Sequence, residues 1–150
     1  MPNRYDWNAL DAAIERTLAE NGDIDSRTRA LSALFMESYL DIDIEEAIDA
    51  ITDGGNDRGV DALFIDERDG KCDIHLIQTK CLKSFDKADN NFPASEIDKI
   101  TTFVSDLLNE NKGELLNINP KLSAKVADAL EAVKKVKSTV TVHFVGNCAP

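Results

Sequence analysis

The sequence predicts an α/β fold in which a small mixed sheet is flanked by helices, with an extra helix at the N-terminus. Three observations predict it. Two stretches before residue 41 carry apolar residues at helical spacing. A hairpin signal centres on Asp69-Gly70. Two further helical stripes then lead into a strand of alternating character near the C-terminus. At 150 residues the chain reads as a single domain long enough to bury a core, with residues 1–27 as a helical extension and 28–146 as the core.

"DWNALDAAIERTLAE" opens with Asp6 as N-cap and places Leu10, Ile14 and Leu18 on one face. "NGDIDS" breaks it. "RTRALSALFMESYL" aligns Leu31, Leu34, Phe35 and Tyr39 as a second helix. "DIDIEEAIDAIT" reads either as a helical turn or as an extended entry, and "DGGND" is a loop by its turn chemistry. "GVDALFID" and "CDIHLIQTK" are strands, and Asp69-Gly70 between them is the preferred pair for a two-residue type I′ turn. "CLKSFDKADNNFP" is a polar connection. "ASEIDKITTFVSDLLNENKG" has Ser95 as N-cap, a stripe of Ile97, Ile100, Val104, Leu107 and Leu108, and Gly113 as its stop. "PKLSAKVADALEAVKKV" starts with Pro120 at the first helical position and buries Leu122, Val126, Leu130 and Val133. "STVTVHFVG" alternates Val140, Val142 and Phe144 with Thr139, Thr141 and His143.

With Asp69-Gly70 as the turn, Ile65 falls opposite Ile74, Leu63 opposite Leu76, Asp61 opposite Gln78 and Gly59 opposite Lys80. Alternation then puts Asp61, Leu63, Ile65, Ile74, Leu76, Gln78 and Lys80 on one face. A carboxylate, an amide and an ammonium gather at its far end. Burying such groups costs several kcal/mol unless they are paired or bind something. One reading is an Asp61–Lys80 ion pair at a sheet edge, with Gln78 a bystander. The other is a metal-dependent phosphodiesterase site. There Asp61, Gln78 and the Thr79 backbone carbonyl offer hard oxygens to Mg²⁺ or Mn²⁺, and Lys80 stands against the scissile phosphate.

At these residues the sequence resembles the PD-(D/E)xK, or restriction endonuclease-like, nuclease superfamily. The match is Asp61 in "GVDALF" and "QTK" at Gln78 to Lys80. "GGNDRGVD" is similar to the glycine-rich approach of its Mrr-like branch, and "EEAIDAITDGGNDRGVDALFID…IHLIQTK" resembles the N-terminal region of abortive-infection phage-resistance (AIPR) proteins. The resemblance implies an α-β-β-β-α-β core and a DNA endonuclease serving bacterial defence against phage. It also implies a glutamate from the helix before the first strand: Glu37 is the first choice, Glu46 the second and Glu45 the third. Asp57 matches the first aspartate of the glycine approach, as a loop organiser or an outer group at the metal. Gln78 stands where an acid is more usual, which removes one anionic ligand; the Mrr-like branch carries Gln there too.

The charge pattern sets limits. The formal net charge is −11, which is unlike most nucleic-acid binders. Residues 1–70 hold 18 acids and 6 arginines, whereas residues 71–150 hold 10 acids and 11 lysines. Lys80, Lys83, Lys87 and Lys99 are the expected phosphate track, and Lys134, Lys135 and Lys137 a helix C-terminal cluster. An alternative follows from the same numbers: a nucleic-acid-binding or regulatory domain on this fold with little or no cleavage. Phe85 and Phe92 read as base-stacking or packing residues. His75 and His143 each read as a sheet-surface histidine rather than a ligand, since no second histidine lies at metal spacing. The three cysteines show no CxxC, so no disulfide framework or zinc site is indicated. No apolar run approaches the ~18 residues of a membrane span, so a soluble, cytoplasmic protein with no membrane partner is expected. The chain stops soon after a strand and reads as the N-terminal fragment of a longer protein. A homodimer and further domains or subunits are left open, as is DNA against RNA.

Overall fold

The computed structural model describes residues 2–148. The elements run α1 (Arg4–Glu20), α2 (Arg27–Tyr39), α3 (Ile44–Ala50), β1 (Ala62–Asp66), β2 (Cys72–Lys80), α4 (Ala94–Leu108), α5 (Pro120–Lys135) and β3 (Ser138–Gly146). This is the expected mixed α/β class, with a three-stranded sheet of order β1-β2-β3. The α-β-β-β-α-β order has one strand more than the described residues hold. Ahead of β1 the chain makes only an isolated bridge at Ile51, and the amides of Thr52 and Asp53 both donate to the Asp61 carbonyl, at 2.8 and 3.1 Å.

The hairpin register is the expected one over its regular part: β1 and β2 are antiparallel, with Leu63 opposite Leu76 and Ile65 opposite Ile74. Turn chemistry sets it. Asp69 (φ 59°) and Gly70 (φ 69°) are both left-handed, and the Lys71 amide closes on the Arg68 carbonyl at 3.3 Å. The register slips at the other end. The Asp61 amide donates to the Ile77 carbonyl at 2.8 Å, while Ala62 is already the partner of Ile77. Two residues therefore face one, as in a β-bulge, and Asp61 is not directly opposite Gln78 as the ideal hairpin would have it.

The chain divides into two compact units: Met1–Ile51, Thr79–Pro93 and Phe144–Pro150 in the first, Thr52–Gln78 and Ala94–His143 in the second. In the first, α1 is capped by Asn3, whose side chain accepts from the Tyr5 amide, so the helix begins before Asp6 and Asp6 lies in its first turn. Ser26 caps α2. Its buried face is Ala30, Leu31, Ala33 and Met36, whereas Tyr39, expected inward, is 68% exposed and stacks on Phe35. Arg27 forms ion pairs with Asp11 and Glu15 of α1. The ambiguous "DIDIEEAIDAIT" is helical because Asp43 and Glu46 form a reciprocal capping box. Phe85 packs edge-on to Trp7 and Phe92 to Phe144, which is the packing alternative for both phenylalanines.

In the second unit, Leu63, Ile74 and Leu76 on one face of the hairpin meet Ile100, Phe103 and Leu107 of α4 and Leu122, Val126 and Ala129 of α5. Phe103 is fully buried and takes the centre of the α4 face; Ile97 and Leu108, expected in the stripe, are exposed. The helix starts at Ala94, one residue before the expected cap. It ends at Leu108, well before Gly113, and the left-handed Glu110 (φ 49°) turns the chain there. Pro120 opens α5 as expected, behind an Asn119 cap that accepts from the Leu122 amide at 2.8 Å. Asp73 meets Thr139 and His75 meets His143, so β3 runs in the same direction as β2. This brings the two histidines together across the sheet, with His75 Nδ1 and His143 Nε2 2.9 Å apart.

Candidate functional site

The glycine-rich loop is built around Asp57. One carboxylate oxygen accepts from the Gly59 amide at 2.9 Å and the other from the Gly54 amide at 3.2 Å. This is the loop-organising role that an aspartate at a turn supplies through short side-chain to backbone bonds. The loop is locally strained: Asn56 (φ 57°) and Arg58 (φ 55°) are left-handed non-glycine residues. Tertiary contacts hold them there. The Arg58 guanidinium binds Asp106 at 2.6 Å and the Glu114 carbonyl at 3.3 Å, and lies over the Phe103 ring. The Asn119 amide donates to the Asn56 carbonyl at 3.1 Å.

Gly59 (φ 79°) must be glycine for a second reason. A Cβ there would stand 3.0 Å from Gln78 Nε2 and 3.2 Å from Lys99 Cβ. The loop thus delivers its backbone directly against the Gln78 amide.

Gln78 is 2% exposed on β2. Its Nε2 donates to Glu96 Oε2 at 3.1 Å, and Glu96 Oε1 accepts from Lys99 Nζ at 3.1 Å. The orientation of the amide follows from chemistry, since turning it over would aim a carbonyl oxygen at a carboxylate. Gln78 Oε1 is then buried with no hydrogen-bond partner. Such an atom costs roughly 1–3 kcal/mol relative to a satisfied one. Asp61 lies at the bulge beside the Ile77–Gln78 peptide, its backbone fixed by the bonds to Ile77, Thr52 and Asp53.

The sequence reading missed Glu96. Its signal was available in "ASEIDK", an acid one helical turn before a lysine at the start of an amphipathic helix, but nothing in the sequence connects it to Gln78. Asp57, Asp61, Gln78 and Lys99 belong to this second unit together with Glu96. Beside them a concave pocket of about 570 Å³ is lined by Asn56, Arg58, Asp98, Lys99, Thr102 and Asn117.

The other expected site residues belong to the first unit. Lys80 ends β2 and is exposed. The Thr79 hydroxyl is 2.7 Å from the Ser32 hydroxyl of α2, and Thr79 is buried. Glu37 is half-buried on α2. Glu46 is exposed, and its carboxylate accepts from the Asp43 amide at 3.4 Å in the α3 capping box; Glu45 is exposed in the same turn. Lys83 and Lys87 are exposed in the connection after β2.

Among the described residues no three Asp, Glu, His or Cys side chains gather as a ready metal cage. Oxygen is the donor type that Mg²⁺ and Mn²⁺ take, and Gln78 Oε1 is the donor here that stands unpartnered. Both are hard cations that keep several waters and draw other ligands from substrate phosphates. No helix among the described residues is long and apolar enough to cross a membrane. Compared with protein-family models, curated proteins and solved structures, the chain matches none.

Proposed function

We propose that this chain is a metal-dependent nuclease domain that hydrolyses DNA phosphodiester bonds, acting in the cytoplasm in bacterial defence against phage. The observation that carries the reading is the partnerless, buried Oε1 of Gln78, whose amide nitrogen is held by Glu96 and leaves no room for a side chain at Gly59. In this reading Asp61 and Gln78 would hold Mg²⁺ or Mn²⁺, which when bound would lower the pKa of its water and offset charge on the phosphate. Glu96 positions Gln78 and adds the negative charge that a glutamine lacks. Lys80, two residues along the strand from Gln78, stabilises the developing charge on the scissile phosphate. Glu37 is the helix carboxylate of choice, since Glu46 already serves its capping box. Asp57 shapes the loop. Lys83, Lys87 and Lys99 contact the nucleic-acid backbone.

A second reading, a nucleic-acid-binding or regulatory domain with little cleavage, is favoured by the net charge of −11 and by the pairing of Lys99 with Glu96. Two measurements separate them. Under the nuclease reading, Mg²⁺ or Mn²⁺ raises the melting temperature and Asp61→Asn abolishes the rise. Plasmid cleavage by the wild type is then lost in Lys80→Ala. Equal cleavage by both proteins, or none by either, refutes the assignment.

A further inference from the structure

His75 on β2 and His143 on β3 are the two histidines of the chain, and the fold brings their ring nitrogens to 2.9 Å. The ring centroids are 5.1 Å apart with planes 25° from parallel. A nitrogen separation so much shorter than the centroid separation means that the rings meet edge to edge, nitrogen facing nitrogen. Burial, the largest influence on each, holds both imidazoles below the ordinary histidine value, and the neighbouring ring adds to this at His143. Both are therefore neutral at pH 7. Facing His75 are Asp66 on β1 and Asp73 on β2, which favour a cation there, and Arg68 at the turn, which opposes it.

We infer that His75 Nδ1 and His143 Nε2 form a two-imidazole binding site for a divalent transition metal of the Ni²⁺, Cu²⁺ or Zn²⁺ class. Two neutral rings that share one hydrogen bond hold one N–H and one lone pair between them. A change of tautomer in the donor ring moves its proton to the outer nitrogen and leaves two lone pairs converging, with no net release of protons. At metal–nitrogen distances of ~2.0–2.1 Å, neighbouring ligands are about 2.9 Å apart on a square-planar or octahedral ion and about 3.3 Å apart on a tetrahedral one. The pair therefore has to open by at most a few tenths of an ångström and tilt. Both histidines are half-buried rather than enclosed, so water takes the remaining positions. Imidazole donors select this metal class over Mg²⁺, and the carboxylates of Asp66 and Asp73 favour a dication nearby.

The probe is NiCl₂ added to the intact chain, followed by melting temperature and by calorimetric titration. One Ni²⁺ per chain is expected, with a melting rise of several degrees that persists in Asp61→Asn and disappears in His143→Gln and in His75→Gln. If a variant does not fold, the other supplies the comparison. No heat and no stabilisation in the wild type, or a rise retained in both histidine variants, overturns the inference. Persistence in Asp61→Asn keeps this outcome separate from the fate of the nuclease reading.

Discussion

The Gln78 side chain donates from Nε2 to Glu96 Oε2 at 3.1 Å, joining a strand amide that is 2% exposed to the first turn of α4. Removing the acceptor leaves a buried amide unpaired. Glu96→Ala is expected to cost about 1–3 kcal/mol, whereas Glu96→Gln, which retains an oxygen, costs less. Urea denaturation of the two variants measures the difference. Equal stability of Glu96→Ala and wild type would show that the bond contributes nothing.

Gly59 approaches Gln78 and Lys99 too closely for a side chain, and its φ of 79° is one that L-residues rarely adopt. Gly59→Ala is therefore expected to destabilise the fold by roughly 1–3 kcal/mol through both effects. Gly55→Ala is the control, since nothing lies within 4 Å of a Cβ at that position. Thermal melts of the pair should separate clearly, and coincident curves would remove the argument for close approach.

The histidine pair makes a pH prediction. Folded values depressed below the unfolded value of 6.5 mean that the unfolded chain binds more protons. The contribution to stability is fully present above about pH 6.5 and is lost as pH falls from there toward the depressed folded values. The melting temperature should fall between about pH 7 and pH 5 in the wild type, and less steeply in His143→Gln. Asp66, whose carboxyl the Arg68 side chain holds below the ordinary value, loses its contribution at more acidic pH, below the carboxylate value of 3.8. A profile identical in His143→Gln and wild type would exclude the pair as the cause.

The sequence alone determined the α/β class, the hairpin and its regular register, the Pro120 start of α5 and the loop role open to Asp57. Each rests on local chemistry: Asp69-Gly70 accepts left-handed backbone, proline suits a first helical turn, and an aspartate caps amides two or three residues away. Tertiary structure decided what distant segments do to one another. The slip at Asp61 accompanies the bonds that its carbonyl accepts from Thr52 and Asp53, which lie outside the hairpin. Phe103 is central to the α4 face because the sheet and α5 select which stripe faces inward. Glu96 reaches Gln78, and His143 reaches His75, because a helix and a strand far along the chain pack beside β2. Side-chain alternation follows from the pitch of a single strand, but these pairings depend on where two separate elements meet.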